Sequence, residues 1–471
     1  MHALSCFVAG RRIESTQLIK IHNPFDGTLA GTVGMVSRTD TEAAIAAARG
    51  FKSTPTRHER SCILESARLA LDARAEEFAR LITSESGLCL HDSRHEVARA
   101  LDVLRFSAME ALRDDGQIFA CDVSPHGTSR KIFTTREPLS CAVCITPFNH
   151  PLSQVTHKLA PAIAVGTPVI LKPCEKTPLS ALRFAELLYE VGLPGPMLSV
   201  ILGSRSDVTE ALVVDPQVEL VSFAGSVEVG KRIASNAGYK RLVLELGGND
   251  PLIVLEDADM DLAVHLAAEG CYRNSGQRST AVKRLLVHER VLEEFTRRLV
   301  ARTRDYVCGD PFDEKTRVGT VIDEDAALYL DTVLKEALAA GARVLIGGER
   351  RGALFSPTVI GDVPQFCRLV DCESFGPLAP IVKIGSLEEA IEVANGTTFG
   401  LSAGVVTRSL EVAMRVIRSL NCGTVNINEV PGFRVESSPF GGIKDSGLGI
   451  KEGVAEAVKS FSQVKTFSLP W

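Results

Sequence analysis

Residues 223–230 read Phe-Ala-Gly-Ser-Val-Glu-Val-Gly, at the point where an apolar run ends and a helical pattern begins. Gly225 allows a tight backbone turn, and Gly230 allows the helix to pack closely. Ser226 and the first amides of the helix offer hydrogen-bond donors that suit a pyrophosphate. This stretch therefore predicts the strand, turn and helix of a dinucleotide-binding α/β domain.

A second segment, upstream of the first, also has the pattern of a strand that ends in a ligand-binding turn. Residues 169–175 read Val-Ile-Leu-Lys-Pro-Cys-Glu, which is typical of a buried strand that runs into a polar turn. Lys172 and Glu175 would then lie at the carboxyl end of a parallel strand, where open α/β sheets bind ligands and a carboxylate can accept from ribose hydroxyls. The segment by itself is explained equally well as a solvated charged turn.

The rest of the chain alternates between strand and helix patterns, as in a parallel sheet covered by helices. The N-terminal third reads as helical, with helices predicted at 42–54, 58–81 and 91–113. Farther along, the predicted strands are 142–145, 168–171, 198–201 and 220–223, and the predicted helices are 178–191 and 207–214. After Gly248 a second set of strands is predicted at 251–254, 284–288, 318–322, 342–346 and 423–426. The fold class is therefore α/β, with a Rossmann-like cofactor domain and a second α/β domain.

Length and composition limit the possible functions. The chain has 471 residues, enough for two or three domains. Its formal net charge of −6 argues against a basic nucleic-acid-binding surface. No apolar run reaches the ~18 residues of a membrane span, and residues 1–6 lack the pattern of a secretory signal. We therefore expect a cytoplasmic protein with neither a nucleic-acid nor a membrane partner.

The twelve cysteines are scattered without a repeated spacing, which favours reduced thiols over a disulfide framework. Cys141 and Cys144 form an isolated CxxC pair within an apolar, strand-like run. Two small core side chains explain this pair better than a redox or metal site. No second CxxC and no nearby histidine cluster completes a zinc site, so we expect no metal.

Residues 274–281 read Asn-Ser-Gly-Gln-Arg-Ser-Thr-Ala, which resembles the nucleophile segment of the aldehyde dehydrogenase superfamily. In that superfamily a cysteine stands two residues after the glutamine, and this chain has Ser279 in its place. Residues 223–230 and 172–175 likewise resemble its FxGSxxxG and KPxE motifs. The resemblance implies a nicotinamide dinucleotide bound by the following residues: Lys172 and Glu175 at the adenosine ribose, Gly225 and Ser226 at the phosphate turn, and Glu373 at the nicotinamide ribose.

A glutamate at position 175 should repel the 2′-phosphate of NADP, because two close anions repel each other where solvent is partly excluded. NAD is therefore the expected cofactor. Lys176 beside the glutamate would soften this preference.

Oxidation of an aldehyde by a nicotinamide requires a nucleophile, donors for the oxyanion and a base that activates water. The resemblance implies Ser279 at the nucleophile position, Asn149 and the backbone amide of residue 279 as oxyanion donors, and Glu245 as the base. Gly247 and Gly248 would leave room for the base to swing. Asn149 alone suits a turn cap and Glu245 alone a surface carboxylate, but their order and spacing make chance a remote explanation.

Ser279 puts the turnover in question. A cysteine thiol ionises near pH ~8.5 and is strongly nucleophilic, whereas a serine hydroxyl is far less acidic. Without a histidine base beside it, Ser279 should react slowly, and Cys271 is expected in the core rather than as a substitute nucleophile. Ser279 is either a deliberate replacement that holds ligands without turnover or a natural divergence, and the otherwise intact site favours the former.

Arg278 stands between the glutamine and Ser279, and a planar guanidinium suits phosphate or phosphonate oxygens. The surrounding residues resemble non-phosphorylating glyceraldehyde-3-phosphate dehydrogenases, and runs over nearly the whole chain resemble phosphonoacetaldehyde dehydrogenases. By that resemblance Arg99, Arg278 and Arg434 form a phosphonate clamp, with His150 as a fourth contact. Each of these arginines alone would more readily be a surface ion-pairing residue.

The resemblance also implies the domain organisation and the activity. Residues 1–119 and 139–247 would form the dinucleotide-binding domain, 248–446 the catalytic domain, and 120–138 with 447–471 the β segments of a homodimer or homotetramer. The expected activity is NAD-dependent oxidation of phosphonoacetaldehyde to phosphonoacetate. The alternatives are another small anionic aldehyde (glyceraldehyde 3-phosphate, then sulfoacetaldehyde), a silent ligand-binding protein, and a weak hydrolase acting through Ser279 and Glu245.

Overall fold

The first large sheet of the computed structural model, which describes residues 2–471, has seven strands. In spatial order they are Arg241–Glu245, Leu220–Ala224, Ala142–Ile145, Val169–Lys172, Leu198–Val200, Phe7–Val8 and Arg11–Arg12. The first five run parallel, and the two short N-terminal strands pair antiparallel at one edge. The strand order reverses between Ala142–Ile145 and Leu220–Ala224, which is where sheets of this kind bind ligands.

Helices pack against this sheet to form one continuous core. They are Arg38–Gly50, Arg57–Ala73, Ala75–Ser86, Leu90–Ala111, Ser153–Val165, Leu179–Glu190, Ala211–Val214, Val227–Asn236 and Val454–Ser460. Shorter 3-10 and π turns cover Gly195–Met197 and Arg205–Glu210.

The second large sheet also has seven strands. In spatial order they are Arg343–Ile346, Thr358–Gly361, Leu378–Ile384, Val282–His288, Asp250–Val254, Ser402–Val406 and Thr424–Ile427. Its helices are Met260–Tyr272, Leu292–Thr303, Glu324–Ala339, Arg368–Asp371, Leu387–Asn395 and Leu410–Ser419. Leu252 and Leu285 pack into one core and Ile253 and Leu286 into another, so this sheet is buried on both faces.

Smaller sheets complete the fold. Ser462–Pro470, Arg130–Pro138 and Ile118–Ala120 form a third sheet, and His2–Leu4, Leu29–Gly34 and Leu18–His22 form a fourth. Two-stranded pairs join Arg350–Arg351 to Leu354–Phe355 and Phe399–Gly400 to Ile443–Lys444. Within residues 2–471, no helix has the length and apolar character needed to cross a lipid bilayer.

The α/β fold class is confirmed, but several predicted elements differ. Residues 318–322 are buried yet form no strand, because their backbone amides bond to separate partners, Thr320 to Gly87 and Val321 to Ala353. The helix predicted at 58–81 is interrupted at Arg74, whose ψ of 19° departs from helical geometry. The N-terminal third is not all helical, since residues 2–34 contribute five strands.

Different parts of the C-terminal segment belong to different parts of the fold. Residues 462–470 pair with Arg130–Pro138 as an extended segment, but Val454, Val458 and Phe461 belong to the core of the first sheet. The predicted segment 447–471 is therefore divided in the structure between the third sheet and the cofactor-side core.

Candidate active site

A cleft of about 670 Å³ opens at the carboxyl ends of the first sheet's strands, at the reversal of strand order. Lys172, Glu175, Gly225 and Ser226 all line it, as the two sequence motifs predict. Lys172 and Glu175 form an ion pair with each other. Ser226 caps helix Val227–Asn236, and its hydroxyl accepts from the amide of Val229 at 3.4 Å.

The residues of this cleft fit a dinucleotide. A helix of ten residues points its N-terminus into the cleft, where its dipole and free amides favour a phosphate. A Cβ on Gly225 would lie 2.5 Å from the ring of Phe223, and one on Gly230 would lie 2.4 Å from Leu246. Both glycines are therefore needed for the close approach of this turn and helix to the sheet.

The segment that carries Ser279 is fixed by a tight, strained turn. Helix Met260–Tyr272 ends, and Asn274 and Ser275 adopt left-handed backbone angles, φ 59° and 53°. Such angles are costly for residues other than glycine and persist only where neighbours impose them. Here the amide of Asn274 donates to Asp92 at 2.8 Å, and the buried Lys283 ammonium donates to the carbonyls of Arg278 at 2.9 Å and Ser279 at 2.6 Å.

Ser279 is half-buried in a second cavity, of about 540 Å³. Its Oγ makes no hydrogen bond to any residue between 2 and 471. Three imidazoles, His95, His150 and His265, line the same cavity. His95 keeps an exposed side chain, and partial desolvation with the charge of Arg273 lowers its pKa, while burial lowers the pKa of His150. The hydroxyl therefore has no hydrogen-bonded base, in agreement with the expectation from the sequence.

Asn149 lies directly behind the nucleophile segment. Its side-chain amide donates to the carbonyl of Gln277 at 2.7 Å, and Asn274 donates to the carbonyl of Asn149 at 3.0 Å. One amide proton of Asn149 thus holds the segment, and the second is available for an oxyanion.

Glu245 ends strand Arg241–Glu245 and lines the cavity of Ser279. Its Oε1 is buried and accepts from no nitrogen or hydroxyl donor among residues 2–471, while Oε2 accepts from Gln154 at 3.4 Å. Burial raises the pKa of Glu245 well above its usual range, and the neighbouring carboxylate of Glu452 raises it further. Burial opposes ionisation of Glu452 too, but the charge of Lys158 and a hydrogen bond with Glu245 outweigh it and lower its pKa to about 2. These directions favour one proton on the pair, held by Glu245.

Lys158 and Glu452 were not identified from the sequence. The Lys158 ammonium lies 2.8 Å from Glu452 and donates to Ser222 at 2.8 Å. A usable signal did exist, because Lys158 is a charged residue inside helix Ser153–Val165, which is almost wholly buried. Lysine is rarely fully buried without a partner, so a lysine in this helix could have predicted a buried carboxylate elsewhere in the chain.

Glu373 does not line the dinucleotide cleft. Its carboxylate accepts from the amide of Gly248 at 3.2 Å and lies 3.2 Å from the Lys283 ammonium. A Cβ on Gly247 would lie 2.2 Å from Glu373, and one on Gly248 would lie 2.6 Å from the carbonyl of Ser279. Close packing therefore requires glycine at positions 247 and 248, independently of any room that the base needs to move.

The structure brings the three predicted arginines together. Arg99, Arg278 and Arg434 all line the cavity of Ser279, and His150 does as well, with Nδ1 3.6 Å from Glu96. Arg278 donates to the carbonyls of Glu269 at 3.2 Å and Gly270 at 2.8 Å. Its Nε is buried and has no partner, and burial lowers its pKa to about 10.

The arginine cluster in the structure differs from the predicted phosphonate clamp in one respect: it contains a carboxylate, Glu436, which was not predicted from the sequence. Its carboxylate binds Arg99 through both oxygens, at 2.5 and 3.3 Å, and lies 3.7 Å from Nε of Arg434. It also pairs with Nε2 of His157 at 2.7 Å. Arg434 stacks over Phe440, with its guanidinium carbon 3.9 Å from the ring centre. Of the three arginines, Arg99 is therefore already occupied by a carboxylate.

Comparison with known proteins gives a consistent result. The model of the aldehyde dehydrogenase family matches residues 11–467. An aspartate-semialdehyde dehydrogenase of Pseudomonas canavaninivorans is 39% identical, over 96% of this chain and 96% of its own length. A lactaldehyde dehydrogenase of Methanococcus maripaludis is 36% identical over 95% and 96%, and a sulfoacetaldehyde dehydrogenase of Neptuniibacter caesariensis is 36% identical over 94% and 98%.

A solved structure of similar fold covers the whole chain. The crystal structure of the NADP-dependent glyceraldehyde-3-phosphate dehydrogenase of Bacillus halodurans C-125, complexed with NADP, superimposes with a TM-score of 0.96. It is 32% identical in sequence, and the match covers 100% of this chain and 99% of that chain.

Proposed function

Because this chain belongs to the aldehyde dehydrogenase family, we propose that it oxidises a small anionic aldehyde with NAD, foremost phosphonoacetaldehyde to phosphonoacetate. Family membership makes it a nicotinamide-dependent oxidoreductase. We further propose that Ser279, in the position of the nucleophile, leaves the protein nearly inactive.

One observation carries the substrate proposal. Arg278 lines the cavity that also holds Ser279, makes no ion pair with any residue between 2 and 471, and has a buried Nε without a hydrogen-bond partner. A buried cation without a counter-ion is costly, so a bound anion would satisfy it. Arg434 and His150 line the same cavity and would add contacts. Glyceraldehyde 3-phosphate and sulfoacetaldehyde, which two of the compared proteins carry in their names, also present an anionic group.

The proposed reaction assigns a task to each residue. Lys283 fixes the carbonyl of residue 279, so that its side chain can attack the aldehyde carbon. The free proton of the Asn149 amide and the backbone amide of residue 279 stabilise the oxyanion. Lys172 and Glu175 would hold the adenosine ribose of the dinucleotide and Ser226 its phosphates, and the dinucleotide, when bound, would supply the hydride acceptor. Glu245 then takes a proton from the water that hydrolyses the acyl group.

Exposed apolar side chains support a role in assembly for the third sheet. They include Ile118, Phe119, Val464, Leu469 and Trp471. Apolar residues grouped on one exposed sheet mark an interaction surface more often than chance. The proposal is a homodimer or homotetramer built through this sheet, which sedimentation of the intact protein would test.

Removal of the Glu175 charge should weaken the preference for NAD over NADP. Glu175 is half-exposed and paired with Lys172, so its repulsion of a 2′-phosphate is partly screened. Glu175→Gln should therefore improve NADP affinity by about 1 kcal/mol, or roughly fivefold, relative to NAD. Calorimetric titration of both cofactors measures this. A native protein that binds NADP more tightly than NAD would contradict the proposal.

Loss of Arg278 should affect charged aldehydes selectively. In a protein that carries Ser279→Cys, Arg278→Ala should lower kcat/KM for phosphonoacetaldehyde by about 10- to 100-fold, because a charge-assisted bond contributes ~1.5–3 kcal/mol. Arg434→Ala should act in the same direction. Propionaldehyde, which has no charge, should change little.

NADH absorbance under steady-state conditions provides the measurement, with phosphonoacetaldehyde, glyceraldehyde 3-phosphate, sulfoacetaldehyde and propionaldehyde compared on each variant. Arg278→Lys serves as the control, since it keeps the charge without the planar fork. Equal losses for charged and uncharged aldehydes would show that Arg278 serves folding, and the anionic substrate class would then be wrong.

A further inference from the structure

Glu436 stands at the centre of the charged side of the cavity. It follows Arg434 by two residues and is buried, with 7% of its surface exposed. From this position it contacts Arg99 on helix Leu90–Ala111 and His157 on helix Ser153–Val165. It therefore ties two helices to the segment that carries Arg434.

The carboxylate of Glu436 is ionised. Burial opposes its ionisation, but the hydrogen bond from His157 and the charge of Arg99 outweigh burial and lower its pKa far below the usual range. The surroundings of Glu436 therefore favour its negatively charged form among the cations of the cavity.

The three arginines differ in how many hydrogen-bond donors remain free for a ligand. Arg99 gives Nε and one terminal nitrogen to Glu436. Arg434 has only an ion contact at 3.7 Å and its stacking on Phe440, so its terminal nitrogens can still donate. Arg278 lines the cavity and gives only one terminal nitrogen, to the carbonyls of Glu269 and Gly270, with no ion pair among residues 2–471. Two arginines can receive a ligand, and the third is held by the protein's own carboxylate.

We propose that Glu436 is a specificity-determining residue that occupies Arg99 and so reduces the affinity of the cavity for doubly charged aldehydes more than for singly charged ones. The inference rests on the proposed function, because it concerns the same anion site. Its basis is that the interaction between a fixed charge and a ligand grows in proportion to the ligand's charge. A neutral aldehyde should not sense Glu436 through charge at all.

The test is calorimetric titration of the Ser279 protein, in which slow turnover permits equilibrium binding. The probes are glyceraldehyde 3-phosphate, with nearly two negative charges, sulfoacetaldehyde with one, and propionaldehyde with none. Glu436→Gln should tighten binding by roughly fivefold per unit of ligand charge. Arg99→Gln should weaken binding in the same graded way, because it leaves Glu436 unopposed.

The double variant Arg99→Gln with Glu436→Gln removes both members of the closest ion pair, so it protects the experiment against a single variant that fails to fold because one of these two charges has lost the other. Its affinity for anions should fall between those of the two single variants. Glu429→Gln is the matched control: Glu429 lines the same cavity but accepts a hydrogen bond from the amide of Val430 rather than from an arginine. It should cause a smaller change, and Glu436→Asp should keep the native order of affinities.

Two outcomes would overturn the inference. Equal effects of Glu436→Gln on all three aldehydes would make Glu436 a structural residue. A double variant as weak as Arg99→Gln alone would show that Arg99 contacts the ligand directly. Failure of the proposed function is recognised separately, because Arg278→Ala would then lower activity equally on charged and uncharged aldehydes.

Discussion

Replacement of Ser279 by cysteine should raise the rate of aldehyde oxidation by at least several orders of magnitude. The Oγ of Ser279 has no hydrogen-bonded base within residues 2–471, and desolvation lowers the pKa values of two histidines of the cavity, His95 and His150. A thiol needs less help, because it ionises near pH ~8.5 and is a strong nucleophile. The steady-state rate of NADH formation by both forms gives the comparison.

Thr280→Cys is the matched control, since Thr280 lines the same cavity one residue away. It should leave the rate near that of the Ser279 protein, because Lys283 holds the carbonyls of Arg278 and Ser279 but not that of Thr280. If the Ser279→Cys form turned over no faster than the Ser279 form, position 279 would not be the nucleophile.

In the cysteine form, Glu245→Gln should reduce the steady-state rate by about 10²–10⁴-fold, the range for loss of a general base. The first turnover should persist, because Glu245 acts on water only after hydride transfer. Rapid mixing should therefore show a burst of about one equivalent of NADH followed by a slow phase. A variant without the burst would place Glu245 in an earlier step.

The pH dependence tests the same residue. Glu245 is a base only when ionised, and its pKa is raised, so the steady-state rate should fall as pH falls through that raised value. Glu452→Gln removes the negative charge that opposes ionisation of Glu245. It should shift this limb of the profile to lower pH, and an unchanged profile would contradict the shared proton.

The residues predicted from sequence share a local signature. Gly225 and Ser226 follow an apolar strand and open a helix, and Glu175 follows Lys172 in a short turn, so chain-local rules place them at one edge of the sheet. A turn between a strand and a helix is determined by residues that are adjacent in the chain. For this reason Lys172, Glu175, Gly225 and Ser226 were correctly predicted to lie together at this cleft, whereas Glu373 does not line it.

The missed residues depend on contacts between distant parts of the chain. Glu436 meets Arg99, and Glu452 meets Lys158, across long stretches of sequence. No local pattern states which buried carboxylate pairs with which cation. The strand wrongly predicted at 318–322 has the same cause, since its apolar residues are buried by their surroundings while their amides bond to scattered partners.

Helix Val454–Ser460 affects how the protein is made. It covers helices Leu90–Ala111 and Ser153–Val165, which carry Arg99, His157 and Lys158, yet it follows the whole second sheet in the chain. Domains usually fold in order as they leave the ribosome. The core of the first domain therefore cannot be completed, and an apolar groove stays open to solvent, until residues 454–461 emerge from the exit tunnel. During that interval the nascent chain should be a client for chaperones, and the two carboxylates of the proton-sharing pair can meet only when synthesis of this segment is finished.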